Sequence, residues 1–427
     1  SSISNLRGVE AGDMCIRPDL TTGMIDPFWG RKTMSFICDI IEADTKERFD
    51  ADPRYVAEKA ETYLEKCGFA DKAVFSPEYE FHVFDSLQYE SKVNRSFYEV
   101  DSTEAAWNSG AAEVRRGRNL GLRLPPKGGY HAIPPFDSLY EVRSEMVDLI
   151  KNVARIPVKY HHHEVGGPGQ MEIEVLFDPL RRSADAAMWI KYIIRNVARR
   201  HDRTATLMPK PLYNEAGNGM HVHMKLFKEG KPVFFEEGGY CDLSDTAMHF
   251  MAGLLHHGPS LCAFTNPSTN SYKRLVPGFE APVNLFFCEG NRTAAIRIPK
   301  YATEPQERRF EYRPPDATAN IYFCLAAILM AGIDGVKRKL SPKEMSFGPF
   351  EGDISTAEQA AELGIKSLPE SLEKALEALE TDHDYLLEGD VFTKGLIDRW
   401  IDFKVTKELR EIQRRPHPHE FELYYNL

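Results

Sequence analysis

Several absences narrow the field before any motif is considered. The seven cysteines (15, 38, 67, 241, 262, 288 and 324) are odd in number, scattered, and include no CxxC pair. That excludes a disulfide framework and a cysteine-ligated zinc site, and fits the reduced thiols of a cytoplasmic protein. The longest apolar run, Ile321 to Ile333, is too short to cross a bilayer. There is no P-loop and no kinase-type glycine loop, so any nucleotide site is of another kind. Basic residues are not in excess: 53 Lys and Arg face 64 Asp and Glu, for a net charge of −11. That balance argues against nucleic-acid and anionic-membrane partners and suits a surface that handles cations. No internal repeat, low-complexity tract or signal-peptide pattern is present. The chain opens Ser-Ser-Ile-Ser without an initiator Met, which reads as a truncated start with a segment missing upstream.

What is present is an ordinary globular composition, 42% apolar and 27% charged, in 427 residues, enough for two or three domains and a large core. Residues 1–50 carry short alternating runs (Met14-Cys15-Ile16, Met34-Ser35-Phe36-Ile37) that predict a small β-rich unit. Asp52-Pro53 then predicts a helix start, with apolar residues at 56, 60, 63 and 64, and the domain boundary is placed there, leaving 51–427 as the larger unit. Further helices are expected from Ser138, over about 184–200, near 246–257, over 318–334 and through most of 355–412. Strand runs mixed with long helices, without strict βα alternation, predict an α+β fold with a mostly antiparallel sheet.

The chain is organised around Ser76–Phe84. Tyr79, Phe81 and Val83 alternate with Glu78, Glu80 and His82, so a strand would put both carboxylates on one face. The same device recurs in Glu164 with His162, Glu172/Glu174, His221/His223 and Arg309/Glu311/Arg313. Each alone has a structural explanation: packing for His161-His162-His163, a strand pair for the two later histidines, a solvated basic patch for Arg308-Arg309, a turn for Gly217-Asn218-Gly219. Were the strands neighbours, at least five carboxylates and a histidine would converge. Burying them without counter-charge would cost far more than a fold's net stability of ~5–15 kcal/mol. They must stay wet or hold divalent cations, and oxygen-rich ligation favours Mg²⁺ or Mn²⁺ over zinc. Arginines on the same face imply that an anion meets those ions, as in phosphoryl transfer.

Taken together, these segments resemble glutamine synthetase of the bacterial type I family, essentially end to end. The resemblance is carried by Pro77-Glu78-Tyr79-Glu80-Phe81, His162-His163-Glu164 with Gly169-Gln170-Met171-Glu172, and Lys210-Pro211 leading into Gly217-Asn218-Gly219-Met220-His221. Asn270 through Pro282, Asn291 through Arg297 and the Pro416–Glu422 ending add to it. It implies a small N-terminal β-grasp-like domain, here truncated, and a catalytic domain with a curved, mostly antiparallel sheet and flanking helices. It implies two metal sites, Glu80, Glu164 and Glu172 at one and Glu78, His221 and Glu311 at the other. Substrates would be L-glutamate, ammonium and ATP. Arg274 would grip the glutamate α-carboxylate, beside Gly217. Arg313 would meet the glutamate side chain and the transferred phosphoryl group, while Arg292 and Arg309 would stabilise charge on that group. His223 and Arg297 would line the nucleotide site, Glu280 would take a proton from ammonium, and Tyr130 would belong to the ammonium pocket.

Some positions depart from the family pattern. An aspartate that binds ammonium would lie just upstream of Ser1, Leu6 stands where an aromatic is usual, and Lys159, Lys225 and Ala216 replace Glu, Ser and Asn. Phe350 falls where some members carry an adenylylated tyrosine, so that switch is expected to be missing. The family assembles as two stacked hexameric rings with shared active sites, which implies a dodecamer. Rival readings are a γ-glutamyl ligase of the same fold acting on another amine, a non-catalytic assembly or regulatory relative, and a binuclear metallohydrolase.

Overall fold

The structure, a computed structural model, describes residues 13–115, 117–279, 281–350, 354 and 357–427. The expectations for Leu6 and Glu280 lie outside the described residues. Asp52 caps the first long helix, α1 (Pro53–Cys67), by accepting from Arg54 N; Pro53 sits at its first position and Gly68 ends it in the left-handed region. Val56, Ala60, Tyr63 and Leu64 face the core as the pattern predicts. Seven strands then form the spine of the largest sheet: β1 (Lys72–Phe84), β2 (Val158–His163), β3 (Gln170–Val175), β4 (Val222–Lys228), β5 (Asn284–Glu289), β6 (Ala294–Ile298) and β7 (Phe310–Tyr312). Their order is β2-β3-β1-β4-β7-β6-β5, and every pairing is antiparallel except β5 with β6. The α+β expectation holds.

β1 is therefore a central strand, not an edge, and its alternation has a two-sided meaning. Tyr79, Phe81 and Val83 are fully buried in the main hydrophobic core. That face is covered by helices, among them α1 and α3 (Leu180–Arg200), which pack on β1 directly. α6 (Ile321–Arg338) lies behind them, is apolar nearly all round and buried over most of its length. α4 (Asp245–His256) and α5 (Gly258–Thr265) pack along it.

Two helices begin elsewhere than the sequence suggests. α3 starts at Leu180, four residues before the predicted point, because Glu61 of α1 accepts from the Arg181 N–H at 3.3 Å and supplies the cap its own sequence lacks. α2 (Tyr140–Asn152) starts after Ser138, whose N–H and hydroxyl both donate to Glu104 Oε1, at 2.7 and 3.0 Å.

The N-terminal residues form two short antiparallel pairs, Met14–Pro18 with Cys38–Glu42 and Met24–Ile25 with Met34–Ser35. Arg54, in the first turn of α1, ties them to the rest. Its guanidinium reaches Asp19 and Asp39 at 2.5 Å each and Asp185 of α3 through two bonds of 2.9 Å, while only 3% exposed. Tyr322 of α6 donates to the same Asp185 at 2.7 Å. Removing the cation would strip Asp19 and Asp185 of their guanidinium partner, while Asp39 would keep Arg17 and Arg48 at 3.1 and 3.2 Å. Arg54→Met is accordingly expected to destabilise the protein by ~3–5 kcal/mol, read from denaturant midpoints.

A second buried ion network stands behind α4. His257 places Nδ1 2.9 Å from Asp382 and Nε2 2.9 Å from Asp334, and its ring stacks on Tyr385. Burial opposes charge on the ring, but the two carboxylates outweigh it and raise the His257 pKa, while His257 lowers theirs against the same burial. The histidine's contribution is full below its ordinary 6.5 and is lost as pH rises through the raised folded value. The aspartates' contribution is full above their ordinary 3.8 and is lost as pH falls through their lowered values. The stability gap between the parent and His257→Gln, measured as urea midpoints across pH, should be widest between those two ordinary values and narrow at alkaline pH.

Candidate active site

On the other face of β1 the strand register builds an acidic row. Glu172 of β3 lies directly opposite Glu80 on one side and His162 of β2 on the other, and Glu174 lies opposite Glu78. β4 and β7 continue the surface with His223 opposite Glu311, and β6 adds Arg297 opposite Glu311. Because each strand alternates with period two, residues paired across the ladder point to the same side. Glu164 enters from the turn after β2, where its backbone N–H bonds Gln170 O at 2.9 Å. His221 stands just before β4, and its carbonyl accepts from Glu78 N at 2.9 Å.

The cluster has two ends of different character. At one, Glu78, His221 and Glu311 bring ligand atoms within 4.8 Å of one another. His221 Nδ1 is 2.9 Å from Glu78 and 3.5 Å from Glu311, and His223 Nε2 is 2.8 Å from the other Glu78 oxygen. Arg297 reaches Glu311 at 2.6 Å, and Arg313 bonds its second oxygen. Burial pushes both acids up, but His223 and His221 hold Glu78 well below its usual range, and Arg313 brings Glu311 down to about 2.

At the other end burial and like charge outweigh the cations, although Arg292 still pulls Glu164 down. His162, Glu164 and Glu172 also gather within 4.8 Å, with His162 3.8 Å from Glu164 and 3.4 Å from Glu172. Burial, then Glu80, pushes Glu164 up to about 8; burial, then Glu78, pushes Glu172 well above its usual value. Glu80 stands between the two ends. Its Oε2 accepts from Gly219 N at 2.6 Å, and its Oε1 lies 3.8 Å from His221 Nδ1. A divalent ion would offset the repulsion that raises both Glu164 and Glu172. Carboxylate oxygens with one imidazole suit Mg²⁺ or Mn²⁺, so the residues fit the ions that the sequence implied.

Above the row opens a cavity of about 350 Å³. All the sequence-predicted site residues among those described line it, except His223 and Arg309. His223 is buried behind Glu78, and Arg309 turns toward Tyr301, its Nη2 3.3 Å from the phenol oxygen. Arg274 is buried under the Gly217–Gly219 turn and anchored on the carbonyls of Pro314 (2.8 Å) and Arg313 (3.2 Å). A Cβ at Gly219 would sit 2.5 Å from the Arg274 guanidinium, so this approach requires glycine. Arg292 donates to the Tyr130 hydroxyl at 3.2 Å.

Sequence reasoning missed several lining residues. Neither Tyr160 nor Tyr301 belongs to the alternating acidic pattern; both line the cavity. Phe279 lies under two lysines, Lys210 Nζ 3.7 Å and Lys127 Nζ 4.2 Å from its ring centroid. His162 was recognised as sharing a face with Glu164 but was given no ligand role. Of the departures from the family pattern, Lys159 pairs with Glu174 at 2.8 Å, Lys225 bonds Gln306 O at 3.1 Å, and Ala216 lines the cavity.

Fold and site together define an α+β protein that presents a buried acidic basin beneath an arginine-lined cavity. The sequence matches the family described as glutamine synthetase, catalytic domain, over residues 50–424. It is 46% identical over 427 residues to a glutamine synthetase of Streptomyces coelicolor, covering 100% of this chain and 89% of that one. Against a glutamine synthetase of Mycobacterium tuberculosis it is 44% identical over 428 residues, covering 100% and 88%. The electron cryomicroscopy structure of Plasmodium falciparum glutamine synthetase superposes with a TM-score of 0.88 at 29% identity, covering 100% of this chain and 88% of that one. The chain belongs to the glutamine synthetase family, and its sequence kinship is with bacterial members.

Because burial and the neighbouring carboxylates of Glu78, Glu164 and Glu80 disfavour charge at Glu172, an uncharged amide there should cost little. Metal-free Glu172→Gln is expected to melt no lower than the parent by calorimetry at pH 7, while the rise in Tm on adding Mg²⁺ or Mn²⁺ is lost.

Proposed function

We propose that the protein is an ATP-dependent ligase that joins ammonia to the γ-carboxylate of L-glutamate by way of γ-glutamyl phosphate, releasing glutamine, ADP and phosphate. One observation carries this reading. Glu78, Glu80, Glu164, Glu172, His221 and Glu311, which come from five separate stretches of chain, line one cavity together with Arg274, Arg292 and Arg313. The names of the relatives support it.

In this reading Glu80, Glu164 and Glu172 hold one Mg²⁺ or Mn²⁺, with His162 alongside, and Glu78, His221 and Glu311 hold a second. Such ions, when bound, neutralise phosphate charge and polarise the bond to the transferred group. Arg274, its guanidinium already anchored on backbone carbonyls, presents a fixed fork to the glutamate α-carboxylate. Arg313 and Arg292 offer positive charge to the anionic phosphoryl group as glutamate attacks it. His223 serves the nucleotide side by fixing Glu78, Arg297 by fixing Glu311, and Arg309 acts through Tyr301. Glu280 accepts the proton from ammonium, with Tyr130 at the same pocket, and the amine then displaces phosphate.

The same proposal includes an N-terminal unit to residue 50, a catalytic unit over 51–427, a cytoplasmic location and a homo-oligomer of two hexameric rings. Among the described residues no helix is long and apolar enough to cross a membrane.

Phosphate release from Mg-ATP, with glutamate and ammonium omitted in turn, tests the reaction. Release should require glutamate, and stoichiometric glutamine should require ammonium. ATP cleavage indifferent to glutamate would refute the assignment, and preference for another amine in a panel would redirect it. Arg292→Ala should lower kcat by roughly 10³-fold without unfolding the protein.

A further inference from the structure

A second cavity, of about 890 Å³, lies on the helix side of the sheet and shares no residue with the acidic one. Its walls come from residues 36–40 of the N-terminal segment, from α3, from the first turn of α6, and from α7 (Lys394–Phe403). They are mainly apolar and aromatic, with Trp189 and Tyr192 on one side and Trp400 and Phe403 on the other. Its volume is within the range of small-molecule sites.

The charge at this cavity has one predominant sign. Lys191, Arg195, Arg399 and Lys404 line it, as does Arg54, which three aspartates already neutralise. Lys404 is paired with Glu408 at 2.6 Å. Among the described residues Lys191 bonds two carbonyl oxygens, Ala317 O at 2.6 Å and Ala319 O at 3.5 Å, which leaves one of its three donors for a ligand. Burial, then Arg195, lowers its pKa to about 8. Arg195 and Arg399 make no ion pair with a described residue. The lining carboxylate is Asp52, already engaged as the α1 cap and by Ile40 N at 3.0 Å. The first turn of α6 adds the positive end of an 18-residue helix.

We propose that this cavity is a binding site for a small aromatic carboxylate. A metal cation would meet like charge, an uncharged apolar molecule would give the remaining Lys191 donor no acceptor, and an inorganic anion would leave the aromatic walls uncovered. A ring bearing one carboxylate satisfies both features, the ring against Trp189 and Trp400 and the carboxylate toward the cations.

Tryptophan fluorescence of the assembled protein, titrated with phenylacetate and with its uncharged analogue phenylacetamide, tests the site, since two of the four tryptophans lie in its wall. Phenylacetate should give a saturable change, and phenylacetamide should bind roughly tenfold more weakly, as expected for loss of a charged contact. Arg195→Gln and Arg399→Gln, both at exposed positions, should each weaken phenylacetate several-fold and leave phenylacetamide unaffected. No saturable change, equal affinity for acid and amide, or displacement of phenylacetate by saturating L-glutamate would each overturn the proposal; the last would mean that the ligand sits in the acidic cavity instead.

Discussion

Mutual repulsion among buried carboxylates is the constraint from which the rest of this structure follows. Glu78, Glu80, Glu172, Glu174 and Glu311 are each at most 7% exposed, on adjoining strands of one sheet face. Anions so placed lose hydration and oppose one another, so each must find a cation, a donor or a proton. The protein uses all three. Histidines and an arginine lower the pKa of Glu78 and Glu311, the Gly219 N–H supports Glu80, and burial with neighbouring carboxylates raises the pKa of Glu164 and Glu172.

Such a site is unfavourable to fold and must be offset elsewhere. The same strand that carries the acids places Tyr79, Phe81 and Val83 into the core on its reverse side, against α1 and α3. His82, next in the acidic alternation, shows how the face is closed off from water. Fully buried, it bonds Asn218 at 2.8 Å, and burial drives its pKa to about 3, so it stays neutral. Not all of the electrostatic cost falls at the cavity: Glu174, on the same face but outside the cavity lining, is held by Lys159 at 2.8 Å.

Arg54 joins α1 and α3 to the N-terminal segment by the opposite arrangement, a buried cation bonded to three acids. The motif that opens α1 was readable as a helix start, yet nothing in it marked the third residue, Arg54, as a hub. Its partners Asp19, Asp39 and Asp185 are separated from it by 35, 15 and 131 positions. On the helix side, Lys191, Arg195 and Arg399, which form no ion pair with an acidic side chain among the described residues, line an aromatic cavity that shares no residue with the acidic one.

Alternation along Ser76–Phe84, the Asp-Pro helix start and the recurring acidic pairs were all local patterns, and period and capping chemistry made them legible. Those patterns determined the strand, its two faces, the α+β class and the identity of the acids, and the motif resemblance pointed to the family. Tertiary structure decided what depends on partners distant in the chain. It set the register that puts Glu80, Glu172 and His162 in one row, the start of α3 on a cap borrowed from Glu61, and the turn of Arg309 toward Tyr301. It also decided which carboxylates stay charged, because a pKa depends on the groups packed around an acid, and sequence neighbours do not reveal them.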